Sequence, residues 1–232
     1  MEKQFEIKLE KWLENVATTC DKFANEIDLD FYPFQSQVRN KFNTNLIILG
    51  VNPGGSSKYK KTRTKDDLFN CGENGENAII AYEGHKDWKF NTPLLEMFKS
   101  QQLRNILTES VIMNVVYFNT SNINNLEKVK FKNEIVDYCT KMTKQLIYDI
   151  IKPKVILVIG YNDIPKLLGI KVSTLSDSII RTEDNKSGLI MKVLHQDIPH
   201  YFIHHTSRNF KFNKGVNLER KKNEFEEIFA NS

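Results

Sequence analysis

The stretch Leu46-Ile47-Ile48-Leu49-Gly50-Val51-Asn52-Pro53-Gly54-Gly55 joins a short apolar run to a turn that is rich in glycine. An apolar run of this length, bounded by turn residues, is typical of a strand that is buried on both faces of a sheet. A comparable run lies at 111–118 and another at 155–160, and a shorter strand is expected at 200–204. We therefore expect a central, mostly parallel sheet of four strands.

Helical patterns surround these runs. Apolar side chains recur at helical spacing over 4–26, and again from Ile135 to Ile150, where the helix should stop before Pro153. The order strand, helix, strand predicts a parallel crossover. A polar turn separates 178–183 from 189–194, which favours a hairpin or a segment that leaves the edge of the sheet and returns. A last amphipathic helix is expected towards Phe229.

The predicted fold is a three-layer α/β/α sandwich. We expect one domain over residues 1–232, with 1–30 as a helical extension that packs on it. A chain of 232 residues, 40% hydrophobic and 27% charged, is long enough to bury a core without disulfides or a structural metal. No repeat or linker-like stretch divides it.

The cysteines and the apolar content exclude several classes of protein. Cys20, Cys71 and Cys139 are odd in number and widely separated, which argues against a disulfide framework and against a Cys-x-x-Cys metal site. The sequence begins without a signal-peptide pattern and contains no apolar run long enough to span a bilayer. We expect a cytoplasmic, monomeric protein that uses no metal or other cofactor and contacts no membrane.

Polar side chains follow the expected strands, and in parallel sheets the ligand crevice lies beyond the carboxyl ends of the strands. The turn at 50–57 leaves the Asn52 side chain facing that crevice, although such turns also occur for structural reasons alone. Asn114 interrupts the second apolar run, and a buried carboxamide needs hydrogen-bond partners. The partner is either neighbouring backbone or a ligand such as the Watson–Crick edge of a pyrimidine.

A third group of residues, His204-His205-Thr206-Ser207-Arg208-Asn209-Phe210, follows the last short strand. A lone histidine there is most often a core residue, but two histidines followed by hydroxyls, an arginine and phenylalanines favour a loop that contacts a ligand and a nucleic acid. Basic residues are also concentrated between positions 58 and 65. That cluster either neutralises phosphates or is a solvated loop.

Together these motifs resemble the uracil-DNA glycosylase superfamily over about residues 30–215. Residues 50–57 are similar to the water-activating motif of the mismatch-specific and single-strand-selective branches. Asn114-Val115-Val116 resembles the strand whose asparagine reads the flipped base, and 204–215 resembles the motif that begins His-Pro-Ser-Pro-Arg-Asn. His205, Thr206 and Ser207 depart from that last motif.

The resemblance implies a DNA glycosylase that flips a base, most simply uracil, out of DNA and hydrolyses its N-glycosidic bond. Asn52 would orient the attacking water, and His204 would donate a hydrogen bond to the departing base. The base pocket would be formed by Asn114, Gly50, Val51, Pro53, Gly54 and Gly55, with Tyr59 or Phe69 as a stacking ring or as core. DNA would be contacted by Lys58, Lys60, Lys61, Arg63, Ser207, Arg208, Asn209 and Phe210.

Two alternatives stay open. One keeps the chemistry but changes the base, for example to a modified base of foreign DNA, because the 205–207 segment is altered. The other is a nucleic-acid-binding module of the same fold without activity.

Overall fold

The computed structural model describes residues 2–38, 40–55, 57–69, 90–120, 130–173, 175–207 and 210–230. In these ranges the chain forms an α/β structure in which helices cover both faces of one sheet. The α/β class predicted from the sequence is therefore confirmed.

The sheet contains six strands in the described part of the chain. They are β1 (Ile47–Gly50), β2 (Val111–Asn114), β3 (Ile156–Ile159), β4 (Ser178–Arg181), β5 (Gly188–His195) and β6 (Ile198–Ile203). Their order across the sheet is β2-β1-β3-β6-β5-β4. The first four in that order are parallel, and β5 and β4 join them antiparallel.

The prediction of a four-stranded sheet is wrong in its count. The hairpin of β4 and β5 extends the same sheet, because β5 pairs with β6 along six residue pairs. An unpaired edge of β6 would expose a row of backbone donors and acceptors, and the hairpin satisfies them. The four parallel strands therefore form one side of a mixed sheet.

The helices form two layers. They are α1 (Glu2–Ile27), α2 (Lys65–Phe69), α3 (Asn91–Met97), α4 (Gln101–Glu109), α5 (Lys132–Lys144) with a π-helical continuation (Gln145–Ile151), α6 (Asp163–Leu168) and α7 (Gly215–Phe229). Side chains of β1 alternate between the two layers. Ile47 and Leu49 face the core beneath α1 and α5, whereas Ile48 faces the core beneath α3, α4 and α7.

The N-terminal helix packs directly on this domain. Leu9, Leu13 and Val16 are completely buried, and Trp12 donates a hydrogen bond from Nε1 to the carbonyl oxygen of Met142 at 2.8 Å. Each such apolar side chain stabilises the fold by about 1.5–3 kcal/mol. None of the helices in the described ranges combines the length and the apolar character needed to cross a bilayer.

Candidate functional site

The carboxyl ends of four parallel strands lie side by side. Asn114 ends β2, Gly50 ends β1, Ile159 ends β3 and Ile203 ends β6. All four strands point the same way, so the residues that follow them share one edge of the sheet, which we call the carboxyl edge. Adjacent strands are about 4.8 Å apart, so the ends of β1 and β6 are separated by about 10 Å.

Asn114 and Gly50 are in direct contact at this edge. They are register partners, and a Cβ atom built on Gly50 would lie 2.9 Å from Oδ1 of Asn114. The Asn114 side chain is buried, and its Nδ2 donates to the carbonyl oxygen of Tyr32 at 3.3 Å. The glycine therefore makes room for the carboxamide, which links the first two sequence motifs.

Gly50→Ala should displace the Asn114 side chain, because the added methyl group overlaps Oδ1. We expect a loss of about 1–3 kcal/mol in the free energy of unfolding, as for other overpacked sites, measured by urea denaturation. Gly54→Ala is the matched control: nothing lies within 4 Å of its Cβ position, and the change should stay within about 0.5 kcal/mol. Equal stabilities for the two variants would contradict the contact.

Asn52 lies in the turn after β1 and is half-buried. Its Nδ2 donates to the carbonyl oxygen of Thr120 at 2.6 Å and to that of Pro53 at 3.0 Å. Carbonyl oxygens cannot bond to an amide oxygen, so these contacts fix which end of the carboxamide is which. No described residue hydrogen-bonds Oδ1, so the residue presents an oriented acceptor.

His204 is buried directly after β6. Its Nε2 lies 2.8 Å from the carbonyl oxygen of Gly188, so Nε2 carries the proton and donates. The ring stacks on Phe212, with centroids 3.7 Å apart, and meets Tyr161 edge-on at 4.8 Å. Burial lowers the pKa of His204 to about 4, with the positive charges of Lys221 and Lys211 acting in the same direction.

The neutral ring therefore has its hydrogen-bond acceptor at Nδ1. The sequence predicted that His204 donates a hydrogen bond to the departing base. That role requires either a protonated imidazole or an Nε2–H that no longer bonds the Gly188 carbonyl oxygen. Nδ1 is buried, and no residue in the described part of the chain hydrogen-bonds it. A buried polar atom without a partner costs stability unless a water or a ligand satisfies it.

Such atoms are concentrated near the carboxyl edge. Within the described ranges, four buried side-chain polar atoms lack a partner, and three of them are in the loops after β2 and β6: Asn119 Oδ1, His204 Nδ1 and Thr206 Oγ1. The fourth, Thr140 Oγ1, is on α5. Asn119 Oδ1 also faces Gly55, at 3.6 Å from its Cβ position. Buried polar atoms near this edge thus have hydrogen-bonding capacity that the described residues do not use.

The buried histidines should make the fold sensitive to acid. Burial lowers the pKa of His200 to about 4, as it does for His204, and His200 bonds Ile198 and Tyr148 as a neutral ring. Above pH 6.5 both rings are neutral in either state. As the pH falls to 4, each of these histidines binds a proton in the unfolded chain but not in the folded one. Each histidine therefore lowers the free energy of unfolding by about 3 kcal/mol.

The measurement is urea unfolding between pH 7.5 and 4. His200→Asn should reduce the difference in unfolding free energy across this range, because one of the two histidines is gone. If the unfolding free energy of His200→Asn changed with pH as much as that of the unmodified protein, His200 would not be a buried histidine that stays neutral in the folded chain.

The loop after β6 is tied to α7 by a buried lysine. Asn213 donates from Nδ2 to the carbonyl oxygens of His205, at 3.2 Å, and Thr206, at 3.3 Å. Lys221 is completely buried on α7 and donates from Nζ to Oδ1 of Asn213. Burial lowers the pKa of Lys221 to about 7. Sequence reasoning missed this contact, although Lys221 lies on the apolar face of α7, four residues before Phe225.

The basic cluster is only partly available to phosphates. Arg63 pairs with the fully buried Asp30 through two hydrogen bonds, of 2.9 and 3.3 Å, and its guanidinium stacks over the Tyr32 ring at 4.3 Å. Its predicted contact with DNA would compete with this pair. The cluster's exposed members are Lys58, Lys60 and Lys61, of which Lys58 pairs loosely with Asp28 and Lys61 with Asp67.

The two predicted stacking rings are not brought to the carboxyl edge by any described contact. Tyr59 packs against the core beneath α1, and its hydroxyl donates to Oδ1 of Asp21 at 2.8 Å. Phe69 ends α2, and its side chain lies outside the described residues. Sequence reasoning missed Tyr161, which follows β3 and touches His204.

The remaining predicted residues are distributed as follows. Val51 is half-buried, Pro53 is buried, and Gly54 and Gly55 are exposed, with Gly55 at φ 89°. Ser207 lies 3.1 Å from Nδ1 of His205 through its hydroxyl. The predicted wedge falls mostly outside the described part: Arg208, Asn209 and the side chain of Phe210.

In the described ranges, no group of three or more His, Cys, Asp or Glu side chains is arranged to hold a metal ion. The groups that the carboxyl edge does present are carboxamides, an imidazole and a phenol ring. Neither a protein-family model nor a curated protein matches this chain.

Proposed function

We propose that this chain is a DNA glycosylase that hydrolyses the N-glycosidic bond of a base flipped out of DNA, with uracil as the first substrate to test. The observation that carries the proposal is the orientation of Asn52, whose amide nitrogen is held by Thr120 and Pro53 while no residue in the described ranges hydrogen-bonds its oxygen. The polar atoms without partners in the neighbouring loops are a second support.

The reaction needs a water molecule placed below the sugar carbon that bears the base. Asn52 Oδ1 accepts a hydrogen bond from that water and fixes its direction of attack. An amide oxygen hardly takes up a proton, so its contribution is positioning rather than strong general-base catalysis. The enzyme should therefore be slow.

The departing base takes the electrons of the glycosidic bond and becomes negatively charged. Asn114 has two N–H groups, and Tyr32 uses one of them, so a second donor can meet that charge. His204 presents its Nδ1 lone pair, which fits an N–H group on the edge of a base.

DNA must present its base outside the stack, because a base inside a duplex cannot reach these side chains. The exposed lysines Lys58, Lys60 and Lys61 follow the Asn52 turn in the sequence and can neutralise phosphates near it. Binding by these lysines should weaken as the salt concentration rises.

Base release from defined oligonucleotides tests the proposal. Single- and double-stranded DNA carrying one uracil is incubated with the protein, abasic sites are cleaved with alkali, and the released base is identified by mass spectrometry. We expect uracil release above that of a heat-inactivated control. The absence of release from both substrates would overturn uracil as the substrate.

A second candidate keeps the chemistry and changes the base. It is favoured by the neutral state of His204, whose Nδ1 accepts and cannot meet a base carbonyl. A modified base that carries an amino group where uracil has a carbonyl would supply a hydrogen-bond donor to Nδ1 at that position. Mass spectrometry of bases released from varied DNAs decides between the two, and release of uracil alone would remove the second candidate.

A further inference from the structure

Tyr161 occupies the middle of the carboxyl edge. It comes two residues after the end of β3, which lies between β1 and β6. In the strand order, the turn that carries Tyr161 lies between the turn after β1, which carries Asn52, and the segment after β6, which begins with His204. The backbone N–H of Gly160 donates to the carbonyl oxygen of Ile203 at 2.8 Å, which keeps this turn beside β6.

The turn itself directs the side chain. Gly160 has a φ of 107°, a conformation that favours glycine, and the chain changes direction there before α6 begins. The Tyr161 side chain packs against the core beneath α1 and α5. Its edge-on contact with His204, with centroids 4.8 Å apart and planes at 89°, fixes the orientation of the ring.

The Tyr161 side chain is not completely buried. Tyr161 is half-buried, and no described residue hydrogen-bonds its hydroxyl. It therefore differs from Tyr59, whose hydroxyl is held by Asp21 on α1. It also differs from Tyr117, which is completely buried and bonded to Thr143.

We propose that Tyr161 is the aromatic ring against which the flipped base stacks, between the water held by Asn52 and the imidazole of His204. This inference rests on the proposed function and names a base-binding residue of the same site. The face of an aromatic ring stacks on any nucleobase, so Tyr161 supplies affinity for the base whatever its identity.

Kinetic variants test the stacking. Tyr161→Ala should lower kcat/KM for a uracil-containing single strand by about 10- to 100-fold, the loss expected when one base loses its stacking partner. Tyr161→Phe keeps the ring and should stay within about threefold of the unmodified protein. Tyr138→Ala removes a half-buried tyrosine on α5 and is the matched control, also expected within about threefold. Urea denaturation shows that each variant is folded at the assay temperature.

Two kinetic outcomes would overturn the inference. If Tyr161→Ala cleaves as well as the unmodified protein, the ring does not bind the base, and the glycosylase proposal stands without it. If Tyr161→Phe loses as much as Tyr161→Ala, the contact is made by the hydroxyl rather than by stacking.

A binding measurement separates this inference from catalysis. Tyr161→Trp places an indole at the same position, and its fluorescence should be quenched by a single strand that carries uracil, but not by the same strand with an abasic analogue at that nucleotide. Quenching without any base release supports the stacking site while removing the glycosylase proposal. Equal fluorescence with the two strands, when both are bound, would overturn the stacking site.

Discussion

Asn52→Ala should lower the rate of base release by about 100-fold or more, with little change in the affinity for DNA. The substitution removes the oxygen that directs the water and also the amide that Thr120 and Pro53 hold in place. The water then occupies many positions, few of which lead to attack. Single-turnover assays with a uracil-containing oligonucleotide measure the rate, and fluorescence anisotropy of the same labelled strand measures the affinity.

The control for this prediction is Asn105→Ala on α4, which removes an exposed asparagine that bonds Gln101. It should retain the full rate. If Asn52→Ala kept more than a third of the activity, Asn52 would have no part in placing the water. A large loss of affinity with an unchanged rate would assign Asn52 to DNA binding instead.

Asp30→Ala should destabilise the fold by about 3–5 kcal/mol, because it leaves the Arg63 guanidinium charged, largely buried and without its carboxylate. Asp30 is completely buried, and only 16% of the Arg63 side chain is exposed. The carboxylate also accepts a hydrogen bond from the Tyr32 hydroxyl at 2.7 Å. Loss of the carboxylate should therefore loosen the segment around Tyr32, whose carbonyl oxygen accepts a hydrogen bond from Asn114.

Urea denaturation at pH 7.5 measures this effect, and Lys58→Ala is the control. Lys58 is also in the basic cluster, but its pair with Asp28 is exposed, with 86% and 60% of the two side chains accessible. Exposed pairs contribute at most about 1 kcal/mol. Equal losses for Asp30→Ala and Lys58→Ala would mean that the buried pair adds nothing special to stability.

The parts of the fold that the sequence predicted are those set by local pattern. Short apolar runs identified β1, β2 and β3, and a polar turn identified the β4–β5 hairpin. The pattern did not show that β5 would pair with β6, because that pairing depends on which edge of the sheet is left open. The fold class was therefore predictable, and the number of strands was not.

The candidate site divides in the same way. Asn52, Asn114 and His204 were singled out because each follows or ends an apolar run, and the structure sets all three along the carboxyl edge. The partners of these and neighbouring residues could not be predicted, because they come from distant parts of the chain. Arg63 looks like a surface residue among lysines until Asp30, 33 residues earlier, is brought beside it.

The buried Lys221 has a thermodynamic consequence. Its bond to Asn213 joins the loop that contains His204 to α7, which also packs on α3, α4, β4 and β5. Opening of α7 would release that loop, so a ligand that requires the ordered loop must oppose local unfolding of the helix. Backbone amides of α7 should therefore exchange their hydrogens more slowly when the site is occupied, even in turns of the helix that never touch the ligand.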